Sequence, residues 1–349
     1  MLQPLDTPPV PQRKSQRLQP PRLPQPRAAL ERELHPRRTR QETRQRLPAP
    51  APWMMIGQSG RLHQLARCAL AQNSQRTYSR VWHRLVSFAA TRGHPPLPLS
   101  RNQTEDFVAH LYDEGLAPAT MRCYVAAIAY FHKLNGFPDF TDAFVIGRAL
   151  AGAARLARTP AQREPMSLRL LRRLTEQCAV VYTSDHDKAL YPAMFLVAFY
   201  ALCRVSEIAV GRFTDHTLQR RDVARLTGAD AFRITFRSFK HARGPQRVRI
   251  NKQLPAASCP VAALDRYLRM RGETQGPLFL HRDGRPVACR EFQSALASLL
   301  RSLGERGRLS SHSFRIGGAT HAARAGLSAV AIQRLGRWRS NAFMRYIRL

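Results

Sequence analysis

The chain has 349 residues, and its 56 Lys and Arg against 23 Asp and Glu give a formal net charge of +33. That length allows two or three domains with sizeable cores, and the charge disfavours cationic partners while attracting polyanions, nucleic acid first. No run of about 18 apolar residues and no signal-peptide core occurs, so a soluble intracellular protein without a membrane span is predicted. The six cysteines are scattered with no C-x-x-C pair, which points to neither a disulfide framework nor a zinc site. Only five residues are Lys, so a preference for Arg explains the choice of cation but not its excess over acids.

Residues 1–58 carry 12 of the 25 prolines, mixed with Gln and Arg, and read as a disordered basic arm. Its RKSQR and HPRRTR runs fit nuclear import or DNA tethering, though such runs are common. Residues 60–158 read as a helical DNA-binding domain. A first helix, capped by Asn73 or Ser74 and stopped by Gly93, puts Tyr78, Val81, Trp82, Leu85 and Phe88 on one face. A second, capped by Ser100 and ended by Gly115, carries Phe107, Val108, Leu111 and Tyr112. A third, ended by Gly136, aligns Met121, Tyr124, Val125, Ile128 and Phe131. The outer faces hold Arg76, Arg80, Arg84, Arg122 and Lys133, either as a phosphate-backbone surface or as a solvated charged face.

The basic, proline-containing stretch 153–165 reads as a linker to a second domain, residues 165–349. There Ser167 caps a helix with Leu168, Leu171 and Leu174, and a long apolar helix covers about 187–203. AFRITF, with alternating Phe232, Ile234 and Phe236, then pairs with QRVRI across a Gly244-Pro245 turn. Helices follow at about 260–271, 289–303 and 312–325, and a tail helix closes the chain. Phe343, Tyr346 and Ile347 fall at helical spacing, consistent with a docked tail. The expected fold is mainly α with a small β-sheet.

Several polar residues in this half are costly unless they have partners. Arg204 ends an apolar helix with Glu207 three residues on, so it should meet a carboxylate or a phosphate. Lys240 sits at the tip region of the β pair, where a solvated hairpin lysine is the plain alternative. His312 and Arg315 share a helix face behind Ser310 or Ser311, but H-x-x-R occurs three times in the chain and alone proves nothing. Gly317 and Gly318 lie inside that helix, each at a cost of about 1 kcal/mol relative to Ala, so a close backbone approach should compensate.

In the order Arg204, Lys240, His312, Arg315, Trp338, Tyr346, the chain from about residue 70 resembles the tyrosine recombinases, or phage-type integrases. The matching stretches are ALCRVSEIAV, SFKHARG, SHSFRIGGATHAARAGLSAVAIQRLGRW and MRYIRL. HSFRIGGAT and GRWRSNAFMRYIR look most like the recombinases of eukaryotic DIRS-type retroelements, which would place the protein in a nucleus. The resemblance implies a SAM-like helical core-binding domain before a catalytic domain, double-stranded DNA as partner, and self-assembly on it. It also implies that Tyr346 attacks phosphorus, Arg204 and Arg315 clamp the nonbridging oxygens, Lys240 protonates the leaving 5′-oxygen and His312 handles the tyrosine proton, with no metal or other cofactor. Glu207 matches an acidic family position that orients Arg204 or His312. A type IB topoisomerase-like enzyme and a non-catalytic derivative are the alternatives.

Two features depart from the family pattern. The usual His or Trp nine residues before the nucleophile is Arg337 here, with Trp338 one residue later; Trp338 is the expected neighbour of Tyr346, its indole steadying the phosphate, and Arg337 is the alternative. Only three residues follow Tyr346, too few for the extra C-terminal helix by which several members contact a neighbour.

Overall fold

The computed structural model describes residues 65, 69–158, 162–211, 216–239, 242 and 244–349. The arm at 1–58 and Lys240 lie outside the described residues. The chain divides into two compact units, Met1–Arg158 and Thr159–Leu349, and among the described residues no helix is long and apolar enough to cross a membrane.

The first unit is a bundle of α1 (Gln72–Thr91), α2 (Arg101–Asp113), α3 (Pro118–Leu134) and α4 (Phe144–Leu156). Val81, Trp82, Leu85, Phe88, Phe107, Val108, Leu111, Met121, Val125, Ile128 and Phe131 form its core, as their spacing predicts. Gly93, Gly115 and Gly136 all take left-handed backbone, at φ +68°, +72° and +70°, and end the first three helices. Ser100 caps α2 in a reciprocal box with Gln103. Three expectations fail here. Helix α1 starts two or three residues early, after Ala71 and without a side-chain cap. Tyr112 lies at the edge of the apolar stripe and is exposed. Helix α4 runs through Leu156, so the predicted linker begins too soon: FVIGRALAGAARL carries two arginines but buries Ile146 and Ala153.

The second unit consists of α5 (Leu168–Val181), α6 (Asp185–Tyr200), a one-turn α7 (Val205–Ile208), a three-stranded sheet, α8 (Pro260–Arg271), α9 (Cys289–Ser302), α10 (Ser311–Arg324), α11 (Ala329–Leu335) and a terminal 3₁₀ helix (Asn341–Tyr346). Helix α6 is apolar all round and central: α5, α8 and α10 pack against it. The sheet order is β1 (Val223–Arg225), β2 (Ala231–Phe236), β3 (Gln246–Asn251), antiparallel throughout, with Phe232 opposite Ile250 and Ile234 opposite Val248. Alternation predicts β2 and β3, whereas β1, three residues long, shows no period to read. The tail is 3₁₀ rather than α-helical. Its Phe343 is buried beside Leu202, Ala319, Ala322 and Ile332, with Tyr346 and Ile347 against the same cluster.

Gly317 and Gly318 lie where two backbones cross. A Cβ on Gly317 would collide with the Met166 main chain, and one on Gly318 with the Phe199 carbonyl and a Leu202 methyl. Here α10 is clamped to α6 and to the segment entering α5, where Met166 N donates to Ser313 O at 2.9 Å. Gly317→Ala is therefore expected to destabilise the protein by about 1–3 kcal/mol through overpacking, despite alanine's better helix propensity. Urea denaturation checks this; a midpoint at or above wild type would contradict it.

Candidate active site

Helices α7 and α10 and the tail bring Arg204, Glu207, His312, Arg315, Trp338 and Tyr346 to one place. Arg204 is the residue before α7, and the turn that follows is fixed by Glu207, a buried residue whose Oε2 accepts from the Arg204 amide at 2.8 Å. Glu207 Oε1 meets Arg204 Nη1 at 2.9 Å, which gives the arginine the carboxylate its cost demands. The same carboxylate meets Arg337 Nη2 at 2.7 Å. Burial alone would raise the Glu207 pKa; Arg337 and Arg204 outweigh that and hold it below the usual carboxylate range.

Ser310 caps α10, its hydroxyl accepting from the His312 amide at 3.3 Å. One turn on, Arg315 is fully buried. Its two terminal nitrogens donate to the carbonyls of Leu202 and Gly336. The Arg315 guanidinium carbon lies 4.1 Å from the centre of the Trp338 ring and 5.7 Å from that of Tyr346. Tyr346 is enclosed on two sides, with ring centres 4.9 Å to Trp338 and 5.1 Å to His312. Burial, with Arg204 and Arg337 nearby, pulls the Arg315 pKa down to about 9, Glu207 opposing the shift.

Burial first, then the charges of Arg163, Arg315 and Arg204, lower the His312 pKa from its ordinary 6.5, so the imidazole is neutral at neutral pH and free to accept a proton. The unfolded chain therefore takes up this proton first as pH falls, and folded-state stability is lost from about 6.5 downward to the folded value. Urea unfolding between about pH 7.5 and 5 should show that loss, and His312→Gln should flatten it. His321, also lowered by burial, leaves a residual slope of the same sign. An unchanged slope in the variant would contradict the assignment.

Of the two neighbours, Trp338 stands beside Tyr346, and Arg337 turns inward to Glu207. Glu207 accordingly pairs with Arg204 and Arg337. Three contributors were not singled out from sequence. Thr320 ties the tail down, its hydroxyl accepting from the Arg348 amide at 3.0 Å and sharing its one proton between Ile316 O at 2.9 Å and Tyr346 O at 3.2 Å. The Leu202 carbonyl serves two arginines. Gly336 leaves space for the Trp338 ring, which a Cβ there would strike. The GGAT and LGRW contexts hold the signals for Thr320 and Gly336; nothing in sequence marks a carbonyl.

In the first unit α1 carries Arg76, Arg80 and Arg84, and α3 carries Arg122 and Lys133. Arg80 and Arg122 are exposed. Arg84 pairs with Glu114 at 2.5 Å and lies over the Tyr124 ring, and Lys133 meets Asp139 at 3.1 Å. Among the described residues no His, Cys, Asp and Glu cluster could hold a metal.

A mainly helical unit with a small antiparallel sheet, two arginines around a carboxylate and a terminal tyrosine over a buried third arginine define the architecture. The chain belongs to the phage integrase family, which residues 170–349 match. Solved structures with similar folds include a lambda integrase dimer bound to a COC′ core site, at 14% identity and TM-score 0.54 over 84% of this chain and 75% of that one. The XerH site-specific recombinase in a post-cleavage complex on palindromic difH gives 14% and 0.57 over 82% and 79%. The Tn1549 transposon integrase with transposon right-end DNA gives 10% and 0.55 over 83% and 93%. No curated protein matches this chain.

Proposed function

We propose that this protein is a site-specific DNA recombinase or integrase that cleaves and rejoins DNA strands through a 3′-phosphotyrosyl link to Tyr346. The observation that carries the reading is the gathering of Tyr346, His312 and Trp338 around the buried Arg315, with Arg204 braced on Glu207 nearby. Tyr346 Oη attacks phosphorus as its proton passes to neutral His312, and the bond from phosphorus to the 5′-oxygen breaks. Arg204 and Arg315 stabilise charge on the nonbridging oxygens, and Lys240 supplies the proton to the leaving 5′-oxygen. Attack by a 5′-hydroxyl on the tyrosyl ester reverses each step, so the bond's energy is retained.

Duplex DNA is the substrate this reading assigns, with the N-terminal helical bundle as core-binding domain and its Arg76, Arg80, Arg84, Arg122 and Lys133 as phosphate contacts, and the protein assembles on DNA as a tetramer or another oligomer. The wording HSFRIGGAT and GRWRSNAFMRYIR supports a place among DIRS-type retroelement recombinases and hence action in a eukaryotic nucleus. The test is a library of nicked duplexes in which the short strand released by cleavage diffuses away. The wild-type protein should accumulate a covalent adduct that survives a denaturing gel. Binding to the library without any adduct would sink the proposal.

A further inference from the structure

The residue nine positions before Tyr346 faces the protein interior. Arg337 is 2% exposed, and its backbone is left-handed at φ +57°. Only one other non-glycine residue among those described has positive φ, Leu202 at +48°, and the two touch: Arg337 Nη2 donates to Leu202 O at 3.1 Å. Arg337 Nη1 donates to Ala201 O at 3.0 Å and Leu335 O at 2.9 Å. Its guanidinium carbon stacks 3.6 Å from the Phe236 ring centre. These contacts are to three carbonyls, the Glu207 carboxylate and the Phe236 ring, whereas Tyr346 is packed by Trp338 and His312.

Two shared acceptors connect Arg337 to both phosphate-clamp arginines. Glu207 Oε2 accepts from Arg337 Nη2 and from the Arg204 amide, while Oε1 holds the Arg204 side chain. The Leu202 carbonyl accepts from Arg337 and from Arg315. The left-handed turn at 337 sends the next side chain to the opposite side, where Trp338 covers Arg315 and Tyr346. A strained backbone persists only where its surroundings hold it, and here four side-chain hydrogen bonds of the strained residue itself do so.

We infer that Arg337 is a positioning residue for strand cleavage, which never reaches the phosphate and acts through Glu207 and the Leu202 carbonyl to hold Arg204, Arg315 and Trp338 in register. This rests on the strand-cleavage reading above. The interior task and the task beside the nucleophile are divided between two adjacent residues, Arg337 and Trp338. The split also explains why an arginine is tolerated at a position facing the core: its charge is matched by a buried carboxylate, and its fork satisfies three carbonyls.

Arg337→Gly isolates the guanidinium, because glycine adopts positive φ without strain and keeps the turn. Single-turnover adduct formation on a cleavable nicked duplex should slow about 10–100-fold. The DNA dissociation constant, from fluorescence anisotropy, should stay within about threefold, the split expected when only transition-state geometry is lost. Glu207→Gln added to Arg337→Gly should slow the reaction by less than the product of the two single effects, as for residues in one network. Arg337→Lys keeps the charge and should recover part of the rate at unchanged affinity; it carries the test alone if the glycine variant does not fold. A wild-type rate in Arg337→Lys and Arg337→Gly overturns the inference. So does a loss of affinity as large as that of Arg204→Ala, which would make Arg337 a phosphate contact, and so do fully multiplicative effects with Glu207→Gln. Wild-type protein that forms no adduct overturns the strand-cleavage reading itself, and the positioning role with it.

Discussion

Tyr346→Phe is expected to abolish the covalent DNA adduct completely while leaving DNA affinity within about threefold. The change removes one oxygen and nothing that holds the ring. Trp338 at 4.9 Å and His312 at 5.1 Å contact the aromatic face, Thr320 binds the Tyr346 main chain, and Phe343 anchors the helix in its apolar cluster. Stability should therefore change by about 1 kcal/mol or less. A phenol with pKa near 10 is a poor nucleophile in water. At this site a neutral imidazole stands ready to accept its proton, and Arg315 stacks beneath the rings. Comparison of wild type and variant on the same nicked duplex, by denaturing gel and by anisotropy, checks both halves. An adduct that persists in the variant would move the nucleophile elsewhere.

Arg315→Lys is expected to lower the cleavage rate by about 10²–10³, the range seen when one charge-stabilising donor is removed from a transition state. Lysine is usually considered a mild replacement, and here it is not. The arginine's fork reaches the Leu202 and Gly336 carbonyls at once, and a single ammonium cannot span them. Burial beside Arg204 and Arg337, which lowers the Arg315 pKa, would also disfavour the charged form of a lysine there. The substituted site would then lack the geometry and hold its charge less readily. Arg204, Arg315 and Arg337 face one carboxylate, Glu207, so the free site carries uncompensated positive charge that a phosphodiester would neutralise. Single-turnover kinetics with saturating protein checks the rate. A lysine variant within about threefold of wild type would show that Arg315 serves packing alone.

Much of this architecture is legible in the sequence because its causes are local. The apolar stripes of α1 to α3 repeat at helical spacing, and the glycines after them adopt the left-handed conformation that ends a helix. Gly317 and Gly318 signal a backbone crossing before any partner is known, since two costly glycines in mid-helix need a reason. The cost of an arginine at the end of an apolar helix likewise predicts the Arg204 to Glu207 pair. What sequence does not reveal depends on long-range contact. The choice between Arg337 and Trp338 turns on one left-handed residue, which no local propensity favours at an arginine. Thr320 looks like an ordinary helix threonine until the tail lies across it. The short β1 is stabilised by pairing with β2, and the tail is 3₁₀, in which Phe343 and Tyr346, three residues apart, still share the docked face.

The central claim is that the oxygen of Tyr346 becomes bonded to DNA phosphorus. The most direct measurement is proteolysis of the trapped adduct followed by mass spectrometry of the nucleotide-bearing peptide. A 3′-phosphonucleotide on the peptide containing Tyr346, with fragmentation placing it on that residue, is the predicted result. A nucleotide on any other side chain, or a DNA-bound protein that yields none, would contradict the account.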